Sequence, residues 1–126
     1  MTRGILVAVG VGGGLGALAR FALSGWTAVR AGEGYPWGTF VVNVSGSILL
    51  GLLVGFLSSR HAPAPVRALL TVGFCGGFTT FSAYDLEVVA LIARGEILLA
   101  LVYPATTLVL CVVGLGLGLR LASARA

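Results

Sequence analysis

Gly73-Phe74-Cys75-Gly76-Gly77-Phe78-Thr79-Thr80-Phe81-Ser82-Ala83-Tyr84 occupies the middle of an apolar stretch running from about Val66 to Ala93. A helix of about 20 residues crosses a hydrocarbon core of roughly 30 Å, so the stretch is long enough to span a membrane. Its centre is a poor helix. Gly76 and Gly77 each weaken a helix interior by about 1 kcal/mol relative to alanine. The hydroxyls of Thr79, Thr80 and Ser82 compete for nearby backbone groups. The segment therefore predicts a span broken at mid-membrane, over the glycine pair and the hydroxyl residues that follow it. Backbone freed by a break at that depth survives only when buried in protein or lining a cavity, and such breaks commonly bind ions.

Three further apolar runs accompany it, from about Ile5 to Val29, Trp37 to Leu57 and Ile97 to Leu121. All are too long for barrel strands, so each reads as a helix whose backbone bonds close within the segment. Short polar connections separate them. Arg30–Pro36 and Ser58–Pro65 are turns by composition, with Pro65 suited to a helix's first turn, and Arg94-Gly95-Glu96 is a tight turn. The prediction is an all-α integral membrane protein, a single four-helix transmembrane domain over residues 1–126 with both termini on one side. Arg3, the apolar run and Ala17-Leu18-Ala19 mimic a secretory leader. The segment is nevertheless expected to be kept as a span, because only three would remain without it.

Composition agrees. Apolar residues make up 58% of the chain and charged residues 10%, well below the roughly 25% of soluble domains. Such a sequence cannot build a polar shell, and it is far too apolar to be disordered. The eight basic residues are all arginines and are scattered, so no nucleic-acid footprint is read. Cys75 and Cys111 lie in apolar runs without metal or redox spacing and read as small packing residues. Arg3, Arg60, Arg67, Arg120 and Arg125 fall on the terminal side of the membrane, against Arg30, Arg94 and the intramembrane Arg20 on the other. The bias places the termini in the cytoplasm and is modest enough to allow both orientations.

At about 1.5 Å of rise per residue, Arg20, Thr39, Asn43, Asp85, Glu87 and Tyr103 all fall in the half of the membrane away from the termini. Polar groups inside spans are functional by default, and their common depth points to a wet vestibule on that side. Pairing of Arg20 with Asp85 or Glu87 is the plainer alternative. Thr39, Asn43, Ser47, Gly51 and Gly55 recur every four residues and share one face, as do Tyr103, Thr107 and Cys111. Gly10–Gly14, Gly12–Gly16, Gly51–Gly55 and Gly114–Gly118 have the spacing that lets helices approach closely.

Three segments carry a resemblance to a known family: Gly13-Gly14-Leu15-Gly16-Ala17-Leu18-Ala19-Arg20, Gly38-Thr39-Phe40-Val41-Val42-Asn43-Val44-Ser45-Gly46, and Gly73–Ser82 as quoted above. In order, spacing and four-span layout the chain resembles the small fluoride channels, the Fluc or CrcB family, over essentially its full length. The resemblance implies an antiparallel, dual-topology homodimer in the cell membrane of a bacterium or archaeon. It implies passive fluoride export and a structural sodium ion held by the backbone carbonyls of Gly76 and Thr79 from each subunit. Asn43 is then expected to contact the anion, and Phe81 and Tyr84 to line the path. Thr80 and Ser82 join that path from the break, and Tyr103 and Thr107 from a polar track on span four. Arg20 and Glu87 are expected at the vestibule. The chain departs from the family pattern at Ala83-Tyr84, where Thr-Phe is usual, at Cys111 on the track, and at Asp85.

The residue chemistry is compatible with anion passage. Asn43 offers amide N–H donors, the hydroxyls offer one proton each, and aromatic rings carry a positive edge. Several modest contacts suit conduction better than one strong clamp. A small proton-coupled drug or cation exporter is the runner-up, but the first span holds Arg20 and no carboxylate. A non-transporting assembly subunit would leave Asn43, Arg20 and the polar break unexplained. No enzyme is read, since the single histidine, His61, sits in a loop without a nucleophile or metal set.

Overall fold

The computed structural model describes residues 2–32 and 34–124, so Arg125 lies outside the described residues. Four helical runs are long and apolar enough to cross a membrane: Arg3–Ala31, Trp37–Ser59, Ala64–Ala93 and Ile97–Ala124. They are built from α1 (Arg3–Ala31), α2 (Trp37–Ser59), α3 (Ala64–Ala68), a π-helical segment over Leu69–Cys75, α4 (Gly76–Phe78), α5 (Ser82–Ala93) and α6 (Ile97–Ala124). Each of the four runs extends past its apolar core by two or three residues at one or both ends. Arg30 and Ala31 are thus helical, the Arg30 guanidinium lying 4.4 Å from the centre of the Trp26 ring. Ser58 and Ser59 likewise close α2, and the Ser59 hydroxyl donates to the Phe56 carbonyl. Pro65 stands in the first turn of α3, where its missing N–H costs nothing. Gly95, at φ +77°, makes the tight turn between α5 and α6.

Two glycine seams hold the bundle. A Cβ on Gly12 or Gly16 would strike the carbonyls of Leu69 and Phe74, and one on Gly77 would strike the Gly13 carbonyl. The first span is thus packed backbone to backbone against the π-helical segment and α4. In the second seam a Cβ on Gly51 would strike the Leu115 carbonyl, and one on Gly118 would stand 2.6 Å from the Ile48 carbonyl, so α2 and α6 meet backbone to backbone. Apolar side chains gain little from each other in lipid, so close backbone approach is what makes such contacts adhesive. Gly10 and Gly14 do not join either seam. Both are exposed, with open space where a Cβ would stand.

The third span is interrupted, although not at the glycine pair. Gly76 and Gly77 are helical in α4, and the chain turns extended at Thr79 (φ −78°, ψ 157°) before the helix resumes at Ser82. The glycines serve close packing, and the interruption falls on the hydroxyl residues that follow. The π-helical turn before them was not legible in the sequence.

The seams predict a contrast. Gly16→Ala should cost about 1–3 kcal/mol or more, because the added methyl meets backbone that cannot yield. Gly14→Ala should be neutral or slightly stabilising. Thermal unfolding in detergent reads both, and equal behaviour of the two variants would contradict the seam.

Candidate functional site

The interruption is stitched by a side chain from the second span. Asn43, buried on α2, accepts from the Thr80 amide through Oδ1 at 2.7 Å and donates from Nδ2 to the Thr80 carbonyl at 2.8 Å. Its amide pairs with one residue's backbone as a neighbouring strand would. Thr80 Oγ1 in turn accepts from the Ala83 amide at 3.3 Å and starts α5. Arg20 donates from Nε to the Gly77 carbonyl at 3.1 Å, and among the described residues it pairs with neither Asp85 nor Glu87. The one ion pair found among the described residues is Arg94–Glu96, at 2.9 Å.

The interruption leaves three carbonyls over. In an unbroken helix the Thr80, Ser82 and Ala83 amides would bond the carbonyls of Gly76, Phe78 and Thr79. Here the Thr80 and Ala83 amides are engaged elsewhere, the Ser82 amide does not reach Phe78, and no other donor among the described residues replaces them. Gly76 is exposed. A carbonyl left without a partner away from water costs several kcal/mol, so these oxygens suit an external electrophile.

Beside the stitch lies a cavity of about 250 Å³. Its walls come from Asn43, Ser47 and Leu50 of α2, from Thr79, Thr80, Phe81 and Tyr84 at the break, and from Thr107, Leu108 and Cys111 of α6. The cavity therefore brings together Asn43, Thr80, Phe81, Tyr84 and Thr107, whereas Tyr103 is not part of its wall. Ser47 was visible as a member of the four-residue stripe on α2. Leu50 and Leu108 carried no signal. Ser82 stands outside the wall, exposed, with its hydroxyl 3.4 Å from that of Thr80.

Most hydroxyl protons near the cavity are committed. Thr107 donates to the Tyr103 carbonyl at 2.7 Å, and Tyr84 donates to the Pro104 carbonyl at 3.1 Å. Tyr103 is completely buried and donates to one oxygen of Glu87 at 2.7 Å, while Thr39 donates to the other at 2.7 Å. The Tyr84 ring is held by its own hydroxyl, with the Phe81 ring stacked 5.3 Å away. Phe81 is 73% exposed. An aromatic column continues from Tyr84 to Tyr103 at 5.4 Å and on to Tyr35 at 5.4 Å.

Glu87 belongs to a separate, larger cavity of about 550 Å³, walled by Thr39 with Tyr35, Trp37 and Ser24. Arg20 lines neither cavity; the two expected vestibule residues are not neighbours across one space. Tyr35 and Trp37 were passed over in the sequence, although aromatic residues at a span's edge are a recognisable signal.

A four-span helical chain whose interrupted third span borders a cavity defines the class: a small multi-pass membrane protein of the kind that handles ions or solutes. Comparison with known proteins sharpens this. A family described as "CrcB-like protein, Camphor Resistance (CrcB)" matches residues 7–119, and the chain belongs to that family. A protein of Nitrobacter hamburgensis named fluoride-specific ion channel FluC 2 is 48% identical over 88% of this chain and 90% of its own. Proteins named fluoride-specific ion channel FluC from Novosphingobium aromaticivorans and Rhodospirillum centenum are each 46% identical, over 90% and 93% of this chain and 91% and 94% of theirs. These relatives are bacterial, and they are named for ion conduction rather than for any enzymatic reaction.

The stitch makes Asn43 structural as well as chemical. Asn43→Asp replaces an N–H by an oxygen that faces the Thr80 carbonyl. It should destabilise the folded chain by about 1–3 kcal/mol, the cost of a buried acceptor left opposite an acceptor. Thermal unfolding in detergent measures it, and an unchanged midpoint would mean that the stitch contributes nothing.

Proposed function

We propose that this chain is a fluoride-specific ion channel of the bacterial cell membrane, through which fluoride leaves the cytoplasm down its gradient. It works as an antiparallel homodimer with a sodium ion held between the subunits. The substrate is supported by the relatives, which bear that name over 88–93% of this chain. The observation that carries the route is the cavity at the break, where donors and ring edges converge without a free basic side chain.

Fluoride is small and strongly hydrated, so a selective path must replace its water with donors. Asn43 spends one N–H on the Thr80 carbonyl and keeps the other for the cavity. The Thr80 hydroxyl accepts from Ala83 and so retains its own proton, for Ser82 or for an anion. Phe81 and Tyr84 present C–H edges, the electropositive rim of an aromatic ring. Tyr84 contributes through its ring, since its hydroxyl is committed to Pro104. Thr107 and Tyr103 reach an anion only by releasing their present acceptors. Arg20 does not line the cavity and spends its Nε–H on the Gly77 carbonyl. Such contacts are individually weak, as throughput requires.

A lone subunit presents the break to lipid, with Phe81 and Gly76 exposed. A second copy would cover that face and close the open wall of the cavity. The carbonyls of Gly76 and Thr79 fit an oxygen-liganded cation, and a two-fold axis would double them around one point. So few oxygens without a carboxylate suit a monovalent ion better than calcium, which takes about six to eight. When bound, sodium supplies a fixed positive charge and satisfies the freed carbonyls.

Proteoliposomes loaded with fluoride or chloride test the main reading: fluoride should leave and chloride should be retained, and equal efflux would overturn it. In the same assay Phe81→Ile keeps bulk but removes the ring edge, and flux should fall by about tenfold. Tyr84→Phe keeps the edge and should stay within about threefold of wild type; a larger loss would bring the tyrosine hydroxyl into the path. Replacing sodium throughout by a large organic cation should lower both the unfolding temperature and the flux. Insensitivity of both to that exchange would remove sodium from the mechanism.

A further inference from the structure

The end of the bundle that carries the termini differs in charge from the other. Arg3, Arg60, Arg67 and Arg120 belong to it, and no aspartate or glutamate does. Of the four acids, Asp85, Glu87 and Glu96 fall in the opposite half or its connection, and Glu33, outside the described residues, lies in sequence between α1 and α2. At that opposite end Arg94 is neutralised by Glu96 and Arg30 rests on Trp26. Among the described residues, the arginines of the terminal end have no acid partner.

One of them stands at the mouth of a groove. Between the last turns of α2 and α6 lies a cavity of about 540 Å³, apolar along Leu52, Phe56 and Leu121 and ending at Ser59 and Arg60. The Arg60 guanidinium lies 5.0 Å from the centre of the Phe56 ring. Stacking in this way holds the cation at the groove while leaving its N–H edge free to bind an anion bidentately. The Ser59 hydroxyl is committed to the Phe56 carbonyl, so Arg60 is the group available for recognition. Phe56 and Leu121 are exposed on the outer surface of a membrane-spanning chain, where lipid is the surrounding medium.

We propose that this groove is a binding site for an anionic phospholipid, with the headgroup phosphate on Arg60 and an acyl chain along Leu52, Phe56 and Leu121. The charge complementarity decides the occupant. An apolar slot alone would take any chain, whereas an unneutralised guanidinium at the end of a span, at headgroup depth, selects negative charge. The site is separate from the cavity at the break and holds whether or not the chain conducts fluoride.

Native mass spectrometry of the purified protein with added phosphatidylglycerol or phosphatidylcholine tests the proposal. Wild type should retain phosphatidylglycerol over phosphatidylcholine by about fivefold, the preference expected from one arginine near the surface. Arg60→Gln should abolish the preference, and Arg94→Gln, at the other end, should leave it intact. Leu121→Trp fills the slot without touching the charge and should lower retention of both lipids. Each variant is first checked for monodisperse elution and a wild-type unfolding midpoint in detergent. Equal retention of the two lipids by wild type, or an undiminished preference in Arg60→Gln, would overturn the site. So would retention unchanged by Leu121→Trp, since the chain would then bind elsewhere.

Discussion

The structure depends on one side-chain amide replacing a strand of backbone. A span that stops being helical in the membrane must find partners for its peptide groups without water. Asn43 gives the Thr80 amide an acceptor and the Thr80 carbonyl a donor, from a helix 37 residues away in sequence. No other uncharged side chain except glutamine offers both functions side by side. The pairing diverts the Thr80 amide from the Gly76 carbonyl, and Thr80's hydroxyl diverts the Ala83 amide from Thr79. These two diversions leave the oxygens of Gly76 and Thr79, on which the proposed cation site rests, without a donor, as that of Phe78 also is.

Everything around the stitch follows from bringing three spans close enough to make it. Gly12 and Gly16 let α1 lie on the backbone of the third span, which carries Arg20 to within 3.1 Å of Gly77. Gly46 sits against Thr79 and Phe78, where any side chain would push the break away from Asn43. Gly51 and Gly118 fasten α2 to α6, and with them Asn43 faces Thr107 across the cavity. The glycines thus serve the site by distance. In lipid, where burial of apolar side chains supplies little driving force, this close approach is also the main source of adhesion.

Commitment of hydroxyls gives the cavity its character. Tyr84 and Tyr103 look alike as polar aromatics in apolar helices, yet one supports a helix carbonyl and the other a carboxylate. Both are fixed as rings by what their hydroxyls hold. The polar part of the wall that remains is made of weak donors and aromatic rings.

Four spans, their order, the polar face of the second and the existence of an interruption in the third were legible in the sequence. These are properties of local composition and of a period of three to four residues, and the chain carries them wherever it folds. The motifs from Gly13 to Arg20, Gly38 to Gly46 and Gly73 to Ser82 also sufficed to indicate the family. The tertiary structure alone decided where the interruption falls and who repairs it. Paired glycines pointed to Gly76 and Gly77, but close contact with Gly13 keeps Gly77 packed, and Asn43 draws the opening to Thr79–Phe81. Arg20 seemed a natural partner for Asp85 or Glu87 by depth, yet a carbonyl 57 residues away took it. Glu87 was taken by Thr39 and Tyr103 instead, and Asp85 is left exposed. A hydrogen bond is a choice among all donors and acceptors that packing brings within about 3 Å, and only the assembled bundle determines that set.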